Sequence, residues 1–447
     1  MLTPTAGTLV SHTNAVPLTL SLAHEFQIAS NLTMAIIGPV SGGTPTHILT
    51  KTGDGTLLLT GTNTFESPLV ISNGFVNVNN GTALGNPTNT ITIYRTTSTA
   101  SSWTQRGPLY FTDTVATNNR PIIIGAAVSY IGQAFPQNGI LVLNGLFTFL
   151  GGGRIDCQGT LIFRGGFDSH NGDPWMQTAG GSTVRFLEKP LTLASRGLSL
   201  DNYGTLHVCT TNNTWGSVGL FKGTFLCGAA NVVPTNSYIT FGVGYASHGF
   251  LDLNGFDQQV RFLNYNTSAS GTTNMIVRSA EPATLTLQGD ASARPFIGYF
   301  SGRVSLRHRN TGTLALTSPS SASTTTGDLR IEAGTVAFRS GAKRTGSTNI
   351  FVTAGTLSVE GGNGTTFGGN NPVLNVTRLN LTSASTVNLN AGITEYVNAA
   401  TLDGIHLPNG TYGSLTSTAQ HKSERFTGTG ILHVLRWEFA GTLISLH

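Results

Sequence analysis

The chain has 447 residues, of which 10% are charged and 39% hydrophobic, and its formal net charge is +4. So few charges, far below the roughly 25% of an average soluble domain, exclude a disordered polyelectrolyte and leave no Lys/Arg run with the footprint of a nucleic-acid binder. No apolar stretch reaches the roughly 20 residues of a membrane-spanning helix.

Helical periodicity is almost absent, and Gly, Pro or Asn-Gly interrupts nearly every candidate. Residues 1–45 are predicted as N-terminal strands or an arm. The opening Met1-Leu-Thr-Pro-Thr-Ala-Gly-Thr lacks a basic region followed by an apolar one, so a secretion signal is expected upstream of this numbering. Val16-Pro-Leu-Thr-Leu-Ser-Leu22 reads as a strand in want of a partner. From residue 46 to 434 alternation dominates, as in Leu57-Leu-Leu59, Val76-Asn-Val78, Leu141-Val-Leu143, Leu198-Ser-Leu200, Leu285-Thr-Leu287 and Val387-Asn-Leu389. Each is a short strand with one buried face.

A repeat runs through these strands. A Gly-Thr-apolar tripeptide begins at Gly55, Gly159, Gly204, Gly223, Gly312, Gly334 and Gly355, with a looser copy at Gly181-Ser-Thr-Val184. Starts at 159, 181, 204 and 223 lie 22, 23 and 19 residues apart, and those at 312, 334 and 355 lie 22 and 21 apart. Self-similarity near 20 residues marks a solenoid whose coils bury a core only by stacking. The glycines are assigned to corners with positive φ. The fold class is therefore all-β, a parallel β-helix with coils of about 20 residues; roughly twenty coils at strand spacing would make a rod of about 100 Å. Residues 86–135 and 262–300 fit the period poorly and are expected to carry lateral loops or short hairpins. An array of β-sandwiches is the competing architecture, but its strands recur every 8–12 residues without a fixed tripeptide.

Among the acids, Asp54, Asp201, Asp290, Asp328 and Asp403 sit beside Gly or Asn, where Asp serves turns. The one loop with chemistry in it runs from Asp156 and Arg164 to Asp168, His170 and Asp173 before Pro174-Trp175; it could hold a cation or a sugar, with Trp175 as a stacking platform, and is equally an ordinary polar loop. Catalytic, cofactor and metal residues are otherwise expected to be none. Cys157, Cys209 and Cys227 are too few and too scattered for a disulfide framework or a zinc site, although one bridge is open to them. In Arg303-Val-Ser-Leu-Arg307-His-Arg309, alternation puts the arginines on a solvated face, with a polyanion contact as the lesser reading.

The segment Leu49-Thr-Lys-Thr-Gly-Asp-Gly-Thr-Leu-Leu-Leu-Thr-Gly-Thr-Asn-Thr-Phe65, followed by Val70-Ile-Ser-Asn-Gly-Phe-Val-Asn-Val78 and Ala83-Leu-Gly85, resembles the autotransporter passenger-associated β-strand repeat of bacterial surface proteins. Lys51, Gly53, Gly55, Leu57, Leu59, Gly61, Asn63 and Thr64 fall on that pattern, while Phe65-Glu-Ser-Pro68 departs from it at a corner. Repeat-like segments at 48–85, 251–265 and 327–360 and a closing segment at 401–434 bring the resemblance to about half of the chain. It implies a parallel β-helix outside a bacterium and no particular activity. The expected function is a structural subunit of a homopolymeric surface filament, tube or coat. The alternatives are a monomeric β-helical adhesin, with contact to carbohydrate or a host surface, and a carbohydrate-active enzyme. The tail 435–447 repeats the corner motif at Gly441 and carries Trp437, Phe439, Leu443 and Ile444. It is assigned to strand addition on a second copy of the chain, with no nucleic-acid partner.

Overall fold

The computed structural model describes residues 10–436 apart from 95–105, 127–129, 132–133, 152, 194–196, 243–247, 266–274, 290–293, 318–322, 362–363 and 373. The chain is all-β and forms a β-solenoid of about 16 turns. It divides into two compact units, Met1–Gly228 and Ala229–His447. The count falls short of twenty because some coils are long: Ile91 pairs with Ile122, and Asn349 with Arg378.

In the first unit the tripeptides stack in register. Thr160, Thr183, Thr205 and Thr224 form one outward column across Thr160–Phe163, Thr183–Phe186, Thr205–Val208 and Lys222–Cys227. The next residues, Leu161, Val184, Leu206 and Phe225, form the matching inward column and are all buried. Period-two alternation and the coil repeat thus act together: one fixes which face looks inward, the other fixes which residue lies on its copy. Deeper in this unit Phe163 stacks on Phe186 at 4.8 Å between centroids and Phe147 on Phe167 at 5.5 Å. Residues 1–45, expected as N-terminal strands or an arm, belong to the stack over their described part: Val10–Asn14 pairs with Leu32–Ile36, which pairs with Thr56–Leu59.

In the second unit the column is Thr313, Thr335, Thr356 and Thr386, with Leu314, Val336, Leu357 and Val387 buried behind it. Within 262–300, expected to carry lateral loops or short hairpins, the described strand Ile276–Leu287 runs parallel to Tyr299–His308 with an irregularity between Ser279 and Ala283, and no antiparallel hairpin occurs among the described residues. Antiparallel pairs occur elsewhere: Ala399–Leu402 with Ile405–His406, and Gly410–Gly413 with Ile431–Val434. The closing segment therefore folds back on itself and also continues the stack, for Phe426–Thr427 and Ile431–Val434 pair in parallel with Ser385–Leu389 and Thr394–Val397.

The corner glycines need a correction. Gly223, Gly334 and Gly355 have φ of 100°, 59° and 98°, conformations that side chains resist. Gly55, Gly159, Gly204 and Gly312 do not lie in that region. At the first three of these the reason for glycine is space. A Cβ would stand 2.3 Å from the Ala29 carbonyl oxygen at Gly55, 2.4 Å from that of Gly139 at Gly159, and 2.4 Å from the Thr178 side chain at Gly204.

Candidate functional site

The loop singled out in the sequence is divided among structural duties. Asp156 lies in Arg154–Cys157, its carboxylate fully buried and 2.8 Å from the Arg154 Nε. Asp168 sits mid-strand in Phe167–Ser169, and the Ser169 hydroxyl donates to the Gly172 carbonyl at 2.9 Å, closing the turn that follows. Asp173 accepts the Gly197 N–H at 2.7 Å. His170 is exposed, and its backbone N–H donates to the Phe149 carbonyl. Trp175 opens Trp175–Thr178 half-exposed, edge-on to Phe221 at 5.5 Å. Arg164 stands 3.5 Å from Glu188, both of them solvated. Among the described residues no three His, Cys, Asp or Glu side chains converge as metal ligands.

The arginine-rich strand is solvated on the expected face. Val304 and Leu306 are buried, whereas Arg307 and Arg309 meet Glu332 at 2.7 and 3.0 Å and Arg303 reaches Glu281 at 3.5 Å. Its cations are thus matched by acids of neighbouring coils. The three cysteines are free thiols. Trp437, Phe439, Leu443 and Ile444 lie outside the described residues.

The unexpected polar chemistry is inside the coils. Lys51 takes an inward position in Leu49–Thr52 and is fully buried. Its ammonium donates to the carbonyls of Thr52, Gly53 and Asn73 at 2.6, 2.7 and 3.3 Å. Gly74, with φ of 73°, makes room for it, since a Cβ there would lie 2.3 Å from Nζ. Asn63 accepts the Val40 N–H at 2.7 Å and donates to the Ala83 carbonyl at 2.6 Å, tying three coils together.

Arg120 is the larger version of the same device. It is buried with its Cζ 5.5 Å from the Phe65 ring centroid, and it donates to the carbonyls of Leu84, Asn89, Ser67 and Thr90. Arg344 repeats it in the second unit, 5.7 Å from the Phe300 centroid, donating to the Ser347 hydroxyl and the carbonyls of Val304, Gly327 and Asp328. Burial lowers each guanidinium to about 9, so both remain cations at neutral pH. Backbone carbonyls solvate them in place of water.

Glu395 is the buried anionic counterpart. Alternation in Thr394–Val397 turns it inward beside Val397. Its Oε1 accepts from the Gly364 N–H at 3.1 Å and the Thr366 hydroxyl at 2.6 Å, and its Oε2 from the Thr366 N–H at 3.2 Å. Burial raises its pKa to about 7 against the pull of these donors. Beside it a groove of about 480 Å³ is lined by Gly364, Thr365, Asn370, Thr394 and Tyr396. A second groove, of about 500 Å³, is lined by Thr62, Asn80, Thr82, Thr117 and Asn119, with Arg120 and Asn63 also in its wall. Both present hydroxyl and amide groups.

Arg120, Arg344 and Glu395 are not among the residues that motif and spacing point to. For Glu395 a signal existed, because Glu395 and Val397 share a face in a four-residue alternating strand. No family model matches the chain, and no curated protein and no solved structure is similar to it.

Proposed function

We propose that the chain is a structural protein, an extracellular β-solenoid subunit of a homopolymeric bacterial surface filament, tube or coat, of the kind implied by its resemblance to autotransporter-associated repeats. One observation carries this reading: the described carboxylates and buried cations are largely engaged in holding coil to coil. Asp252 pairs with Arg278, Glu332 with Arg307 and Arg309, Glu360 with Arg339, and Asp403 accepts the Ser383 N–H. A glycosidase would keep two carboxyl groups facing each other across a cleft; here the acids have been distributed along a scaffold.

Self-assembly would proceed by strand addition at the first described coil. Val10–Asn14, Leu18–Leu20 and His24–Gln27 each pair on one side only among the described residues. Val16 and Leu22, which flank them, are 67% and 65% exposed. Edges of this kind accept strands from another chain, and head-to-tail addition gives an open polymer. The monomeric adhesin is the second reading, favoured by the two hydroxyl- and amide-lined grooves, whose chemistry suits a carbohydrate. Sedimentation velocity with negative-stain microscopy across a concentration series separates the two. Filaments or sheets appearing above a critical concentration are expected, and a chain that stays monomeric at millimolar concentration overturns the assembly reading.

A further inference from the structure

Cys209, dismissed in the sequence as one of three scattered thiols, has a chemical neighbourhood of its own. His207 points outward from Thr205–Val208, and Cys209 follows at the corner with its Sγ 3.2 Å from the His207 Nε2. Both side chains are partly exposed. Gly228, from the next coil, leaves the space that the pair occupies: a Cβ there would stand 2.4 Å from Sγ and 2.7 Å from Nε2. On the preceding coil Arg185 is the register partner of His207, and its positive charge acts on both groups. The other two thiols make an internal contrast, for Cys157 and Cys227 are buried, and burial pushes Cys157 up to about 12.

We propose that Cys209 and His207 form a nucleophilic thiol–imidazole site that is modified by anionic low-molecular-weight disulfides. Burial and Arg185 lower the His207 pKa, which keeps the imidazole neutral and able to accept a proton. Burial raises that of Cys209, with Arg185 opposing, so the resting pair is a neutral thiol donating to a neutral ring. In the reaction His207 Nε2 takes the thiol proton as Sγ attacks one sulfur of the disulfide. A new S–S bond to Cys209 forms and the old one breaks. The departing thiolate leaves with the electron pair and is protonated by the imidazolium. The Cys209 sulfur is oxidised and the departing half of the reagent is reduced. General-base assistance of this kind suits a thiol whose own ionisation is unfavourable. Arg185 selects a reagent bearing carboxylates and disfavours a cationic reagent or a metal ion.

The native folded chain is tested with dithiobis(nitrobenzoate), a dianionic disulfide, and with dicationic cystamine. Release of one thiol equivalent is expected, with the adduct on Cys209 by peptide mass spectrometry and with the anionic reagent faster. The rate should be nearly level with pH between the titrations of His207 and Cys209, whereas an unassisted thiol speeds up about tenfold per pH unit below its pKa. His207→Gln should slow labelling at neutral pH by at least about tenfold and restore that slope. Arg185→Gln should narrow the difference between the two reagents. Labelling of Cys157 or Cys227 in the folded chain, no labelling at all, or a wild-type rate that climbs tenfold per pH unit would overturn the proposal without recourse to any variant.

Discussion

Replacing Glu395 by Gln removes a titration and leaves the shape. The wild-type carboxyl has its pKa raised from 4.5 to about 7 by burial. A raised acid pKa means that the folded state prefers the protonated form. Its contribution is therefore fully present below pH 4.5 and is lost as the pH rises through 7. At about 1.4 kcal/mol per unit of pKa, the loss is on the order of 3 kcal/mol between those limits. The variant carries its own constant cost. A Gln oxygen at the Oε1 position keeps the Gly364 and Thr366 hydroxyl donors, but its NH2 then faces the Thr366 N–H, worth about 1–2 kcal/mol. That cost does not depend on pH, and every other titrating group is common to both proteins. The difference in unfolding free energy, wild type minus variant, should thus fall by about 3 kcal/mol between pH 4.5 and pH 8. Urea unfolding followed by circular dichroism at four pH values measures it, with hydrogen exchange of the Gly364 and Thr366 amides as a local readout. A difference that stays constant with pH would refute the buried-acid argument.

Arg344→Ala should cost about 3–5 kcal/mol in thermal or chemical unfolding, because it leaves a large buried cavity and removes one of the donors to each of three carbonyls; a loss under about 1 kcal/mol would mean that the surroundings close over the space and that the remaining donors, the Thr325 and Ser347 hydroxyls and the Leu306 N–H, suffice. Gly355→Val should destabilise by more than about 2 kcal/mol, since φ is 98° and a Cβ would lie 2.4 Å from the Gly334 carbonyl oxygen. Gly180→Val is the control, with nothing described within 4 Å of its Cβ position; equal effects at the two sites would remove the corner argument. Asp173→Ala should free the Gly197 amide and raise its hydrogen-exchange rate while leaving the circular dichroism spectrum unchanged; unchanged protection would show that the turn is held by other means.

What the sequence made legible was whatever repeats. Thr160, Thr183, Thr205 and Thr224 stand in register because a tripeptide recurs at coil length, and Leu161, Val184, Leu206 and Phe225 are buried because alternation puts them behind that column. Corner glycines were legible as glycines but not by cause: Gly334 answers to backbone angle and Gly204 to the nearby Thr178 side chain, and the same tripeptide surrounds both. The residues of the candidate loop are dispersed for a related reason. Asp168, His170 and Asp173 are close in sequence, but one lies in a strand and one caps an amide of the next coil. What joins residues into a site here is separation by a coil, as with His207, Arg185 and Gly228, and proximity in sequence does not show it.

A stack of similar coils faces a problem that its apolar columns do not solve. Leu on Val is worth nearly the same as Val on Leu, so slipping the stack by a whole coil would keep most of the buried area. The buried polar residues named above do not recur from one coil to the next, and each is addressed to particular neighbours. Asn63 accepts from Val40 and donates to Ala83. Arg120 reaches Leu84 and Asn89, and back as far as Ser67. Displacing any of them by one coil strands a buried donor or acceptor, at about 1–3 kcal/mol for each neutral group and more for a charged one. A buried cation held by carbonyls adds little to stability compared with an apolar side chain of the same volume. Its effect is to penalise every alternative register, and this explains why Lys51, Arg120 and Arg344 occupy inward positions that leucine would fill more easily.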